Sequence, residues 1–176
     1  MSYCAIITFK NSKIDAEIEF RNSYGGAARI WTSLFDRYLK DDSVPYDCWM
    51  NRACVDDGHS LWGLAKCKAL SMCERAVHTA TFDYAIVEKK NFKQFVKHLR
   101  EFTQMHPVGS EFAHHLEAWA QCIENLDDDV ESIGFYGTSC GENLWRGRYD
   151  QDKEEHVAYD LKTGDKHFDV YDAIKY

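Results

Sequence analysis

Cys140 is the side chain in this sequence best placed to act as a nucleophile. It sits in Tyr136-Gly137-Thr138-Ser139-Cys140-Gly141-Glu142, a run of small residues after an apolar stretch. A nucleophilic thiolate needs exposure, a neighbouring base and backbone N–H donors, and a strand-to-helix turn can supply the donors. His59, His114, His115 and His156 are the candidate bases, but nothing in their spacing brings one to the thiol. Ser139 and Glu142 also have capping-box spacing, which explains the same stretch as a helix start without any chemistry. Cys140 is carried forward as a candidate, and no catalytic residue is assigned.

Two clusters contain metal-ligating side chains. Cys48, Cys54, Asp56, Asp57 and His59 share one irregular segment, and His114 and His115 are adjacent. Zinc takes four N or S ligands, usually from tighter spacings such as CxxC or HxxxH. Adjacent residues on a helix point about 100° apart, so His114 and His115 do not converge on one ion. No metal and no cofactor is expected. The Gly25-Gly26 pair precedes a helical pattern but belongs to neither a P-loop nor a dinucleotide fingerprint.

Charge is the more informative signal. Residues 1–123 hold 15 acidic and 15 basic residues, whereas residues 124–176 hold 14 acidic and 6 basic, so the net charge of −8 belongs to the last third. Asp127, Asp128, Asp129 and Glu131, then Asp152, Glu154 and Glu155, are spread among Phe135, Tyr136, Trp145 and Tyr149. Spaced carboxylates on a rigid surface suit a protein groove built for phosphates, and they repel nucleic acid and anionic membranes. The one basic concentration, Lys89-Lys90-Lys93-Lys97-Arg100, follows a helix side and reads as a solvated face, so direct nucleic-acid binding is not expected.

Seven cysteines, an odd number and none in a CxxC pair, read as reduced thiols serving as small hydrophobes. The N-terminal residues lack the basic region of a signal peptide, and no apolar run is long enough to span a membrane, so a cytoplasmic location is expected.

The elements that must position these residues follow from periodicity. Tyr3–Phe9 is almost wholly apolar, as in a strand covered on both faces, and residues 14–21 alternate, as in a strand with one wet face. Helices are expected from Ala27, Ile30, Trp31, Leu34, Phe35 and Tyr38, and over residues 60–80. A third follows a capping pattern at Asn91 and Gln94, and a fourth starts at Ser110 and faces inward with Leu116, Trp119, Ala120 and Ile123. Strands are expected at 82–88, 132–136 and 144–149, with a second hairpin over 154–173 turning at Lys162-Thr163-Gly164-Asp165. Residues 41–60 have no sustained period. The result is one α+β domain over 1–176, with about four helices packed against a mainly antiparallel sheet.

From these readings we expect a non-enzymatic interaction or inhibitor protein whose acidic C-terminal third meets a basic protein surface. Small acidic proteins that block nucleic-acid-handling enzymes, many of them virus-encoded counter-defence proteins, share this style of charge. The alternative is a small cysteine-dependent enzyme centred on Cys140, or a small-molecule-binding domain using residues 41–60.

Overall fold

Strand β1 (Tyr3–Lys10) is apolar on both sides because both sides are covered. Cys4 and Ile6 join the larger core under the helices, while Ala5, Ile7 and Phe9 join a smaller core on the opposite face. The computed structural model describes residues 3–21, 26–38, 69–106, 110–136, 143–152 and 154–175.

Strand β2 (Lys13–Arg21) runs antiparallel to β1, closing a hairpin at Asn11 and Ser12, both with positive φ. Its pairing steps from Thr8↔Ala16 to Phe9↔Ile14, so Asp15 is an extra residue. A bulge of one residue turns the following side chain to the other face. Phe20 accordingly packs on the helix-side core and Ile14 on the opposite one. The Thr8 hydroxyl accepts the Ala16 N–H at 3.0 Å, satisfying a group the bulge would leave open. The alternation therefore does not mark a single wet face.

Beyond the hairpin come α1 (Gly26–Tyr38), α2 (Met72–Thr79), β3 (Ala85–Glu88), α3 (Phe92–Met105), α4 (Ser110–Glu124) and β4 (Ser132–Tyr136). β5 (Arg148–Asp150), β6 (Glu155–Val157), β7 (Phe168–Asp169) and α5 (Val170–Ala173) complete the chain. The main sheet has the order β2-β1-β4-β3-β7, and β5 pairs with β6 in a separate ribbon. All pairings are antiparallel except β3 with β7, so the fold is α+β and mainly antiparallel, as the sequence indicates. Apolar residues of α1 to α4, including Ile30, Leu34, Val77, Leu99, Phe102 and Leu116, cover the first face. Arg100 of α3 ties it to α4 through a two-pronged contact with Glu117 at 2.9 and 3.0 Å and a contact with Glu124 at 2.8 Å.

Several boundaries differ from the periodicity. Residues 69–70 form a turn and α2 starts only at Met72, because Ser71 and Glu74 form a reciprocal capping box; residues 60–68 lie outside the described residues. β3 starts at Ala85 rather than 82, since Tyr84 has φ +62° and cannot sit in an extended strand. Asn91 precedes α3 without a side-chain capping bond. Residues Leu144–Arg146 form a 3-10 turn ended by Gly147 at φ +73°, and only then does β5 begin.

The second hairpin also needs correcting. Residues 160–164 do turn, with Gly164 N–H donating to the Asp160 carbonyl at 2.8 Å, but the flanking segments go to different sheets. β6 pairs with β5, and β7 lies parallel to β3. The Tyr159 hydroxyl accepts the N–H groups of Lys166 and His167, wrapping the loop around that ring and sending Phe168 to the helix-side core. Asp169 then caps α5 by accepting from the Tyr171 and Asp172 N–H groups.

Candidate functional site

The acidic residues singled out by charge fall into two groups on separate elements. Asp127, Asp128, Asp129 and Glu131 occupy the turn from α4 to β4, and all four are exposed. Their carboxylates are nonetheless largely engaged. The Lys10 ammonium lies 3.2 Å from Asp127, 3.0 Å from Asp129 and 3.4 Å from Asp15. Asp129 above all raises the pKa of Lys10, and the hydrogen bond from Lys10 in turn lowers that of Asp129. Lys89 donates to the Asp128 carbonyl, and Glu131 accepts the Ser12 N–H at 3.2 Å. This group clamps the α4–β4 turn against the β1–β2 hairpin.

The second group lies on the β5–β6 ribbon. β6 is exposed at all three of its residues, and Tyr149 and Val157 remain 49% and 47% exposed. Such side chains on a two-stranded ribbon bury too little area to stabilise it well, since an isolated hairpin is marginal in water. The register places Asp150 directly opposite Glu155, and Tyr149 opposite His156 with ring centroids 5.2 Å apart. Like charges in direct cross-strand positions oppose pairing. Asp152 and Glu154 follow in the connecting turn, where Glu154 has φ +54° and Asp152 donates its N–H to Asp150. Four carboxylates and two large apolar side chains are thus held on one short ribbon.

Periodicity missed a third constellation, inside the helical layer. Glu74 is 1% exposed and accepts the Ser71 N–H and hydroxyl, both at 2.9 Å, and the Tyr38 hydroxyl at 2.8 Å. His106 Nε2 lies 2.8 Å from the same carboxylate, and the Arg37 guanidinium 3.9 Å away. Burial acts to raise the Glu74 pKa, but hydrogen bonds from Ser71, Tyr38 and His106 outweigh it and lower the pKa. Burial depresses the pKa of His106 despite the carboxylate, so the ring is neutral and donates Nε2–H. Every hydrogen-bonding partner is on α1, α2 or the end of α3, so the cluster joins three helix ends. The Ser71-x-x-Glu74 spacing was its one visible signal.

Cys140 lies outside the described residues, as do Cys48, Cys54, Asp56, Asp57 and His59. Burial pushes the thiol of Cys4 up to about 11 and that of Cys73 up to about 12, which suits core packing rather than nucleophilic attack. Among the described residues no helix is long and apolar enough to cross a membrane. No family model, no curated protein and no solved structure matches this chain.

Proposed function

We propose that the protein is a non-enzymatic interaction protein, an inhibitor that docks its acidic C-terminal third on a basic protein surface. A nucleic-acid-handling enzyme fits as the target, in the manner of virus-encoded counter-defence proteins, because its phosphate-binding groove presents spaced cations. The observation that carries this reading is the β5–β6 ribbon. It leaves Tyr149 and Val157 in water beside the exposed Asp152, Glu154 and Glu155, an arrangement that a basic, partly apolar partner would cover. An aromatic anchor with surrounding charge is the composition of an interface centre and its rim.

Asp127 and Asp129 have a different part in this reading. Engaged by Lys10, they contribute field rather than close contact, whereas Asp152, Glu154 and Glu155 make the contacts. The test is capture of partners by the intact protein from its native host, followed by titration. Converting Asp152, Glu154 and Glu155 to Lys should weaken binding at least ~10-fold, since exposed pairs are individually small and act together. Association should slow with salt as the Debye length falls from ~10 Å at 0.1 M to ~3 Å at 1 M. Affinity indifferent to both salt and the triple reversal would overturn the reading.

A further inference from the structure

On the ribbon side of the main sheet a cavity of about 880 Å³ opens between the start of β2, Tyr84 and the segment from Val157 to Lys166. Its walls are closely built. A Cβ on Gly147 would stand 1.7 Å from the Val157 carbonyl oxygen, and one on Gly164 would stand 2.3 Å from the Tyr159 ring. The Tyr159 hydroxyl is fixed by the Lys166 and His167 N–H groups at 2.9 and 3.1 Å. Tyr84, in its left-handed backbone conformation, sets its ring 5.0 Å from Tyr159 and 5.6 Å from Trp145. Aromatic faces and the side chains of Ile14, Leu144 and Val157 therefore form an apolar wall held in place from behind.

The charged groups lining this cavity are two cations, Lys13 and Lys166, and two carboxylates, Asp160 and Asp165, with the Thr163 hydroxyl among them. A phosphate-bearing ligand would meet the two carboxylates, and a cationic ligand would meet the two ammonium groups. A ligand of hydroxyl groups has neither conflict, because each hydroxyl donates to Asp and accepts from Lys. The C–H face of a sugar ring suits the aromatic wall, and sites of this kind combine apolar walls with a few convergent polar groups. Lys166 lies over the Tyr84 ring at 5.6 Å and is exposed, so an entering ring displaces a flexible side chain rather than backbone. We infer that this cavity is a binding site for a neutral saccharide, with a ring face against Tyr84 and hydroxyls shared between Lys13, Lys166, Asp160 and Asp165. The site shares Val157 with the β5–β6 ribbon but is lined by none of its carboxylates, so it stands or falls independently of the docking reading.

The experiment is titration of the full-length, 15N-labelled protein with maltotriose, cellotriose and tri-N-acetylchitotriose, followed by amide shifts. Trigalacturonate and adenosine monophosphate serve as anionic comparisons. At least one neutral trisaccharide should shift the amides of residues 13–14, 84, 143–147 and 157–166 saturably, with a Kd on the order of 1 mM. Asp165→Ala and Lys166→Ala, both at exposed positions, should each weaken that binding ~10-fold while leaving the remaining amide spectrum in place. The inference is overturned if none of the three neutral sugars gives saturable shifts there. It is equally overturned if the anionic probes bind more tightly, or if both variants bind as the parent does.

Discussion

Replacing Glu74 tests whether a buried carboxylate holds the helical layer together. Three neighbours converge on it through four hydrogen bonds of 2.8–2.9 Å, and it is 1% exposed. Glu74→Ala removes this shared acceptor from the Tyr38 hydroxyl, the Ser71 N–H and the His106 ring and should cost about 3–5 kcal/mol, from about 1–3 kcal/mol for each buried donor that loses it. Glu74→Gln preserves shape but turns an NH2 group toward one of the two donor pairs. The Ser71 N–H cannot accept from it, so it faces the Tyr38 hydroxyl and the neutral His106 ring, which can accept by rotation and change of tautomer, and a smaller cost of about 0.5–1.5 kcal/mol is expected. The pH dependence adds a sign. With its pKa below the ordinary 4.5 in the folded state, Glu74 contributes stability above pH 4.5 that is lost as pH falls through the folded value. His98 and His106 are both depressed below 6.5 by burial, so the unfolded chain takes up protons first and stability begins to fall below about pH 6.5. Urea unfolding of parent and both variants from about pH 2.5 to about pH 8 reads all of this. The parent should lose stability below pH 6.5 and more steeply below 4.5, and the steeper part should be reduced in Glu74→Gln, the remainder coming from Asp129 and the other ion-paired carboxylates. Should Glu74→Ala unfold within 1 kcal/mol of the parent at pH 7, the convergence on Glu74 does not contribute as argued.

Two further outcomes follow from the packing. Gly134 of β4 faces the Trp145 indole, which a Cβ would meet at 2.6 Å, and that ring is confined by Phe9, Tyr84 and Tyr159. Gly134→Ala should therefore lower stability by about 1–3 kcal/mol in chemical denaturation and shift the tryptophan emission, and a neutral effect would show the ring free to move. Cys4 and Cys73, with thiols raised to about 11 and about 12, should be alkylated at pH 8 about a hundredfold or more slowly than in urea, measured by peptide mass spectrometry; equal rates would place them outside the core.

Where a side chain's surroundings are set by its immediate neighbours in sequence, the elements were legible. α3 and α4 are such cases, because Phe95, Leu99 and Phe102, or Leu116, Trp119 and Ile123, repeat along one helix side and are buried there. β1 is another, since a strand apolar at nearly every position from Cys4 to Phe9 needs both faces covered. What could not be read depended on contacts between distant segments. Residues 155–157 and 168–169 alternate as a hairpin would, yet β7 gains more by joining β3, where Phe168 reaches the main core. The bulge at Asp15 is equally hidden, because Ile14, Ala16, Ile18 and Phe20 keep perfect alternation in sequence. It is the Thr8 hydroxyl, on the other strand, that satisfies the displaced Ala16 N–H. Tyr84 shows the same thing at one residue. Nothing about a tyrosine announces a left-handed backbone, and the geometry persists because its ring is set among Trp145 and Tyr159.

The charge partition singled out the last third of the chain and could not divide it. Asp127 to Asp129 form the densest acidic run in the sequence, so composition favours them over the ribbon. Yet Lys10, 117 residues from Asp127, reaches this turn and engages two of the three carboxylates. An ion pair of that kind is a consequence of the β1–β4 pairing, which sets Phe9 opposite Ser132 and so brings the end of β1 to the turn before β4. On the ribbon the strand register instead aligns Asp150 with Glu155, and β5 and β6 are hydrogen-bonded to each other in a sheet of two strands. Which basic residue the fold delivers to an acidic group is thus a property of topology rather than of composition.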